Sequence, residues 1–297
     1  PDTGEILALM GSKDWFGDPF PEGCTSGVDC LFDPKVNVTA FRNGRQPGSS
    51  FKPFVYAKAF EKGADDETIV IDEETNFGIW GDEEYIPQNY DEIFHGPVTL
   101  RNALAQSLNI PAVKVLNDFA GIKESVALAK EMGISTMRDS SAYGLSLVLG
   151  GAEVHPLDMA SAYGVFATEG KRVPPVTILR VEDSNGKTLF TNTKSSIQIM
   201  EPEIARLITD ILSDNSARAP LFGTNSVLHF PYYKVAAKTG STQDYRDAWT
   251  IGYANEIVTA VWVGNNDNTE MEEAPGVVVA SPIWNQFMRN ALPQLTP

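Results

Sequence analysis

Three short strings carry side chains that can do chemistry together: Ser49-Ser50-Phe51-Lys52, Ser107-Leu108-Asn109 and Lys238-Thr239-Gly240. In that order they supply a hydroxyl nucleophile with an amine beside it, a second hydroxyl with an amide, and a second cation. Such a set suits acyl transfer through a serine ester with lysine, not histidine, as the base. Ser49 lies three residues before Lys52, a spacing that puts both on one face of a first helical turn. An unperturbed lysine has a pKa of about 10.4. Lys52 therefore serves as a base near neutrality only if burial and a neighbouring cation bring it to roughly 7–8. An apolar helix would bury it, and Lys238 is the candidate cation. Free N–H groups at a helix start also suit a developing oxyanion. Ser107 can shuttle a proton. Asn109 can hold a substrate amide, cap the following helix, or do both. Lys238 with the Thr239 and Ser241 hydroxyls can bind a carboxylate, and Gly240 would clear room for a substrate backbone along a strand edge.

Each string alone is weak, and the chain contains decoys. Ser184-Asn185-Gly186-Lys187 repeats the Ser-x-x-Lys pattern, but Asn-Gly between strand-like runs reads as a hairpin turn. Ser213-Asp214-Asn215 ends an amphipathic stripe and reads as a helix stop, expected away from the site. Gly186-Lys187-Thr188 ends like a phosphate loop, but Val181 stands where that loop needs glycine. His95, His155 and His229 show no metal spacing, so no metal or cofactor is expected.

The elements that must position these residues are partly legible. Glu5 to Met10 reads as a first strand. Phe51 to Phe60 is apolar on nearly all sides, with Pro53 marking its start and Gly63 its end, so it reads as a central buried helix. Residues 64–97 are polar and show little periodicity. Thr99 is a candidate cap for a helix carrying Leu100 and Leu104. Asn109 or Ile110 is the candidate cap of the next, with Pro111 in its first turn. Further helices are expected around Val126–Met132, Pro156–Tyr163 and Ile204–Leu212, and a last one from Ser281-Pro282. Lys234–Ser241, Ala248–Tyr253 and Ile257–Val263 are strand-like with hairpin-length connections. The expected fold is α/β of the α+β kind: an antiparallel sheet assembled late in the chain, flanked by helices, with a helical subdomain.

The chain has 297 residues, 42% hydrophobic and 21% charged. Those values suit one large or two medium folded domains. Its net charge of −16 argues against nucleic acid as a partner. No apolar run approaches the roughly 18 residues of a membrane span, and no signal peptide is evident. The abrupt opening on Asp2-Thr3-Gly4 and a strand-like run suggests a domain excised from something longer. Cys24 and Cys30 share one polar loop and make a poor zinc site. A local bridge and two free thiols are both open.

With these residues in hand, the chain resembles the transpeptidase domain of a class A penicillin-binding protein over nearly all of residues 1–297. Arg45 to Pro53 is similar to that family's nucleophile motif, Arg101 to Asn109 to its second, and Lys238 to Thr242 with Arg246-Asp247-Ala248-Trp249 to its third. Glu153 to Ala160 resembles a family helix start, with His155 where a Thr cap is usual. The resemblance implies the penicillin-binding-protein and serine β-lactamase fold, and cross-linking of peptidoglycan stem peptides. Ser49 would be the nucleophile, Lys52 the base, Ser107 the relay and Lys238 the tuning cation. Asn109 would hold the substrate, and Thr239, Gly240 and Ser241 would line its site. The Ser49 and Ser241 N–H groups would form the oxyanion hole, and β-lactams would acylate Ser49. It also implies a setting outside the cytoplasmic membrane, anchored by an upstream segment. That setting favours the Cys24–Cys30 bridge. The alternatives are a serine β-lactamase, disfavoured because no Glu-x-x-Leu-Asn string is found, and a non-catalytic β-lactam-sensing module.

Overall fold

The computed structural model describes residues 1–40, 44–80, 83–272 and 275–295. Its helices are α1 (Lys52–Glu61), α2 (Leu100–Ala105), α3 (Asn109–Lys114), α4 (Ile122–Glu131), α5 (Pro156–Ala167), α6 (Pro202–Ser213), α7 (Asn215–Phe222) and α8 (Gly276–Leu295). Its strands are β1 (Ile69–Asp72), β2 (Ile79–Trp80), β3 (Glu83–Glu84), β4 (Gly96–Thr99), β5 (Lys171–Arg172), β6 (Arg180–Glu182), β7 (Thr188–Thr191), β8 (Ile197–Gln198), β9 (Ala236–Ser241), β10 (Asp247–Tyr253) and β11 (Val258–Gly264).

The central sheet is antiparallel in the order β11-β10-β9, so β9 presents a free edge. Side chains alternate across a strand, and the cores on either side follow that alternation. Ala236 of β9 packs with Trp249, Ile251 and Tyr253 of β10 against the helical body. Ala237 packs with Trp284, Met288 and Leu292 of α8 on the other face. Lys238 and Gly240 therefore share the helical side, and Thr239 and Ser241 the α8 side.

In the helical body α1 runs through the centre, with Phe54, Val55, Tyr56, Ala57 and Ala59 fully buried. Burying each large apolar side chain contributes about 1.5–3 kcal/mol, so this helix anchors whatever precedes it. Pro53 sits in its first turn, where a missing N–H costs nothing. A 3-10 turn, Gly48–Phe51, leads into it. Thr99 caps α2 by accepting from the Asn102 N–H (3.2 Å). His155 precedes α5 with no side-chain cap bond.

Two expectations need correction. Glu5 to Met10 forms no strand: Glu5 makes one isolated bridge to Val176, and Leu7, Leu9 and Met10 stay exposed. The run is apolar and strand-like but pairs only through that one bridge, and pairing decides a strand. The last helix starts at Gly276, not at Ser281-Pro282; Pro282 lies inside α8, while Ser281 Oγ donates back to the Gly276 carbonyl (3.3 Å). In the stretch of little periodicity, β1 pairs antiparallel with β4 and β2 with β3. Cys24 and Cys30 are bridged, with Cα atoms 5.2 Å apart.

Candidate active site

Ser49 sits in the 3-10 turn before α1, half-buried, and among the described residues none hydrogen-bonds to its hydroxyl. The turn is pinned from several sides. Ser50 Oγ donates to the Pro47 carbonyl (2.7 Å), Tyr163 Oη donates to the Ser50 carbonyl (2.6 Å), and Trp249 Nε1 donates to the Gln46 carbonyl (2.7 Å). Two glycines allow backbone to press on it. A Cβ on Gly240 would sit 2.1 Å from the Pro47 carbonyl oxygen, and one on Gly150 would sit 2.2 Å from the Gly48 nitrogen. Gly240 is thus required by the close approach of β9 to the nucleophile turn, a reason distinct from the expected clearance for substrate.

Lys52 opens α1 and is fully buried. Its Nζ donates to the Ser107 carbonyl (2.6 Å) and to Asn109 Oδ1 (2.8 Å), with Ser107 Oγ at 3.4 Å. Lys238 Nζ approaches the same hydroxyl from β9, donating to Ser107 Oγ (2.7 Å) and to the Thr239 carbonyl (3.0 Å). Ser107 therefore bridges two lysines. It can do so because its φ is +65°, a left-handed conformation that costs of the order of 1–3 kcal/mol for such a residue. That conformation ends α2, with the Leu108 N–H donating to the Ala103 carbonyl (2.9 Å).

Burial holds Lys52 well below the usual lysine range, and the cation of Lys238 adds to the shift. Burial likewise brings Lys238 down to about 7, with Arg218 as the second cause. Arg218, on α7, is itself buried, and donates to the Leu212 and Leu228 carbonyls. The sequence offered no pointer to it beyond a lone arginine after Ser213-Asp214-Asn215. That triplet makes no hydrogen bond to the site. Asp214 caps α7 through the Ala217 N–H (2.9 Å) and pairs with Arg101 (3.2 Å).

Asn109 is the first residue of α3 and not its cap; Leu108 holds that position, in an extended conformation. The Asn109 side chain is thereby free to face Lys52. Its Nδ2 donates to the Gln88 carbonyl (2.8 Å), and its backbone N–H donates to Asn89 Oδ1 (2.8 Å). Sequence reasoning passed over Gln88 and Asn89, which lie in the aperiodic stretch.

Thr239 is buried and Ser241 half-buried, both on the α8 side of β9. Ser241 Oγ accepts from the Gly276 N–H (2.8 Å), which leaves its hydroxyl proton to donate elsewhere. Chemically, the cluster offers an unencumbered hydroxyl, a buried amine whose ammonium form burial disfavours, a hydroxyl that bridges two amines and a second amine shifted down to about 7. Among the described residues no group of three or more His, Cys, Asp or Glu is placed to hold a metal, and no helix is long and apolar enough to cross a membrane.

Residues 1–289 match a family model described as the penicillin binding protein transpeptidase domain. Penicillin-binding protein 1A of Aquifex aeolicus is 34% identical over 97% of this chain and 36% of its own length. Penicillin-binding protein 2D of Bacillus subtilis is 33% identical over 98% of this chain and 40% of its own length. The chain thus spans between 36% and 40% of the length of these two relatives. The crystal structure of penicillin-binding protein 1A from Haemophilus influenzae superposes with a TM-score of 0.77 at 26% identity, covering 89% of this chain and 44% of that one. PonA1 of Mycobacterium tuberculosis in complex with penicillin V gives 0.74 at 26% identity, covering 88% of this chain and 72% of that one.

Proposed function

The chain belongs to the family of penicillin-binding protein transpeptidase domains, and on that premise we propose that it cross-links peptidoglycan stem peptides as a D,D-transpeptidase through an ester on Ser49. The observation that carries this reading is the Ser107 hydroxyl held between Lys52 Nζ and Lys238 Nζ.

A neutral Lys52 has two N–H bonds to donate, and the Ser107 carbonyl and Asn109 Oδ1 accept both. Its lone pair is then free to take the Ser49 proton as Oγ attacks the penultimate D-alanine carbonyl. The oxyanion is received by the Ser49 and Ser241 backbone N–H groups, which the tight packing of β9 on the nucleophile turn brings together. The proton passes through Ser107 Oγ to the departing amine, the C–N bond breaks and D-alanine leaves. An acceptor amine then attacks the ester, returns its extra proton along the same path and frees Ser49. Thr239 and Ser241 bind the terminal carboxylate, which must lie across the free edge of β9 to reach both. β-Lactams acylate Ser49 by the same first half. Residues 1–297 act as one transpeptidase domain of a longer, membrane-anchored protein at the outer face of the cytoplasmic membrane.

The test is mass spectrometry of the chain incubated with labelled penicillin, and with a stem pentapeptide plus an acceptor amine. A lasting adduct on Ser49 and an amide product are expected. An adduct on another residue refutes the nucleophile. Rapid release of hydrolysed penicillin moves the protein to the β-lactamase reading, and a stable adduct with no peptide transfer to the sensing module.

A further inference from the structure

Asp72 closes β1 with its side chain wholly buried. It accepts from Asn89 Nδ2 (3.0 Å to Oδ1, 2.8 Å to Oδ2) and from the His95 backbone N–H (3.0 Å), and the His95 ring meets it at Nδ1 (2.7 Å). The other His95 nitrogen faces Asp91 (3.2 Å). An ionised carboxylate only accepts, so Asn89 must turn its amide nitrogen toward Asp72. The same nitrogen donates to the Ile93 carbonyl (2.8 Å). Asn89 Oδ1 is thereby aimed at the first turn of α3, where it accepts from the N–H groups of Asn109 (2.8 Å) and Ile110 (3.4 Å). These are donors that a helix start leaves without intrahelical partners.

One residue earlier, the Gln88 carbonyl accepts from Asn109 Nδ2 (2.8 Å). That bond fixes which end of the Asn109 amide faces Lys52: the oxygen, at 2.8 Å. Two consecutive loop residues thus grip Asn109, one by its backbone and one by its side chain. Orientation passes from a buried carboxylate to one amide, then to a second amide, then to the amine.

We propose that Asn89, held by Asp72, is a positioning residue for the acylation step: it sets Asn109 so that its oxygen restrains Lys52 Nζ. Asn89 touches neither Ser49 nor Lys52. The inference rests on the transpeptidase reading of the site. The plainer role for Asn89 is a cap that stabilises α3 and leaves the chemistry alone.

The experiment is the single-turnover rate of acylation by labelled penicillin, read beside thermal melting. A displacement near 1 Å costs about 10²-fold, so Asn89→Ala is expected to slow acylation roughly 10- to 100-fold while still melting cooperatively. Asn109→Ala should slow it too, and the double variant should be no slower than Asn109→Ala alone, since the first residue acts through the second. Asn89→Ser keeps an oxygen near the same N–H groups and should recover part of the rate. The acid limb of the rate profile should also move to lower pH in Asn89→Ala. Asn109 Oδ1 favours the ammonium form of Lys52, whose other polar neighbours are Ser107 and Lys238. If Asn89→Ala does not fold, Asn89→Ser with and without Asn109→Ala completes the same cycle. Additive losses, or an unchanged rate in a folded variant, overturn the positioning role. Failure of the wild-type chain to form an adduct on Ser49 would instead overturn the reading of the site.

Discussion

The pattern Ser-x-x-Lys occurs at Ser49–Lys52 and again at Ser184–Lys187, in opposite surroundings. Lys52 is fully buried at the head of α1, where the carbonyl of Ser107 and the amide of Asn109 take its N–H bonds. Lys187 is exposed on the hairpin between β6 and β7, two strands that bury none of their residues. There Asp183 Oδ1 accepts from the backbone N–H groups of Asn185 (2.9 Å) and Lys187 (3.0 Å), shaping a turn and nothing more. The same four-residue pattern is a candidate nucleophile with its base in one place and a surface turn in the other. Spacing supplies proximity, while burial and neighbours supply reactivity. An unperturbed lysine near pH 7 is neutral in only about one molecule in 2,500, which is why the full burial of Lys52 matters.

The largest expected contrast is at the serines. Ser49→Ala should abolish covalent penicillin labelling, and Ser184→Ala should leave it intact, both read by mass spectrometry of the labelled peptide. Labelling that survives in Ser49→Ala would dissolve the distinction. Next come the lysines. Lys52→Ala should slow acylation by roughly 10²–10⁴-fold, the usual contribution of a positioned base, whereas Lys187→Ala should match the wild-type rate in stopped-flow fluorescence. Gly240→Ala should have a smaller effect. Its Cβ would meet the Pro47 carbonyl at 2.1 Å, so the nucleophile turn or β9 must move, with a loss of about 10²-fold per ångström. Asn185→Ala, on the exposed hairpin, should change that rate by less than about two-fold, in keeping with the small effects of surface substitutions.

A further contrast is thermodynamic. Lys238 has a pKa of about 7 in the folded chain and about 10.4 once unfolded. Between those values the unfolded chain binds more protons, so folding stability rises with pH. The benefit is complete above the unfolded value and is lost as pH falls toward 7. Denaturant unfolding from pH 7 to 9.5 should show wild type gaining stability relative to Lys238→Met. The window stops at 9.5 because burial raises the Tyr163 and Tyr253 hydroxyls, which pull the other way once unfolded tyrosine ionises.

The parts of the site legible in the sequence were those with local chemistry. Ser49 and Lys52 come with a proline that fixes the helix start, and Lys238 comes with small residues in a β-prone run. The convergence of Lys52 and Lys238 on Ser107 could be expected only because one site would need them all. The positive φ of Ser107 left no trace, since nothing in Gln106-Ser107-Leu108 demands a left-handed residue. Asn89 and Asp72 were invisible for another reason. They sit where hydrophobic period gives no signal, and their value lies in partners 20 and 17 residues away. Glu5 to Met10 shows the reverse failure, because its apolar run read as a strand but only Glu5 pairs, in one bridge to Val176. The start of α8 was misjudged by trusting Pro282 as a first-turn residue, whereas it lies inside the helix.

The packing of Gly150 and Gly240 against the nucleophile turn bears on how the protein folds. Residues 47–48 reach their final shape only when segments about 100 and 190 residues further along the chain have arrived. Contacts of such long sequence separation form late and slowly, because loop-closure entropy must be overcome before they reward the chain. The central helix can be in place while the site is still open. Covalent capture of a β-lactam would then serve as a clock for the final stage of folding, since a chain with a native helical body but an undocked β9 would remain silent to the drug.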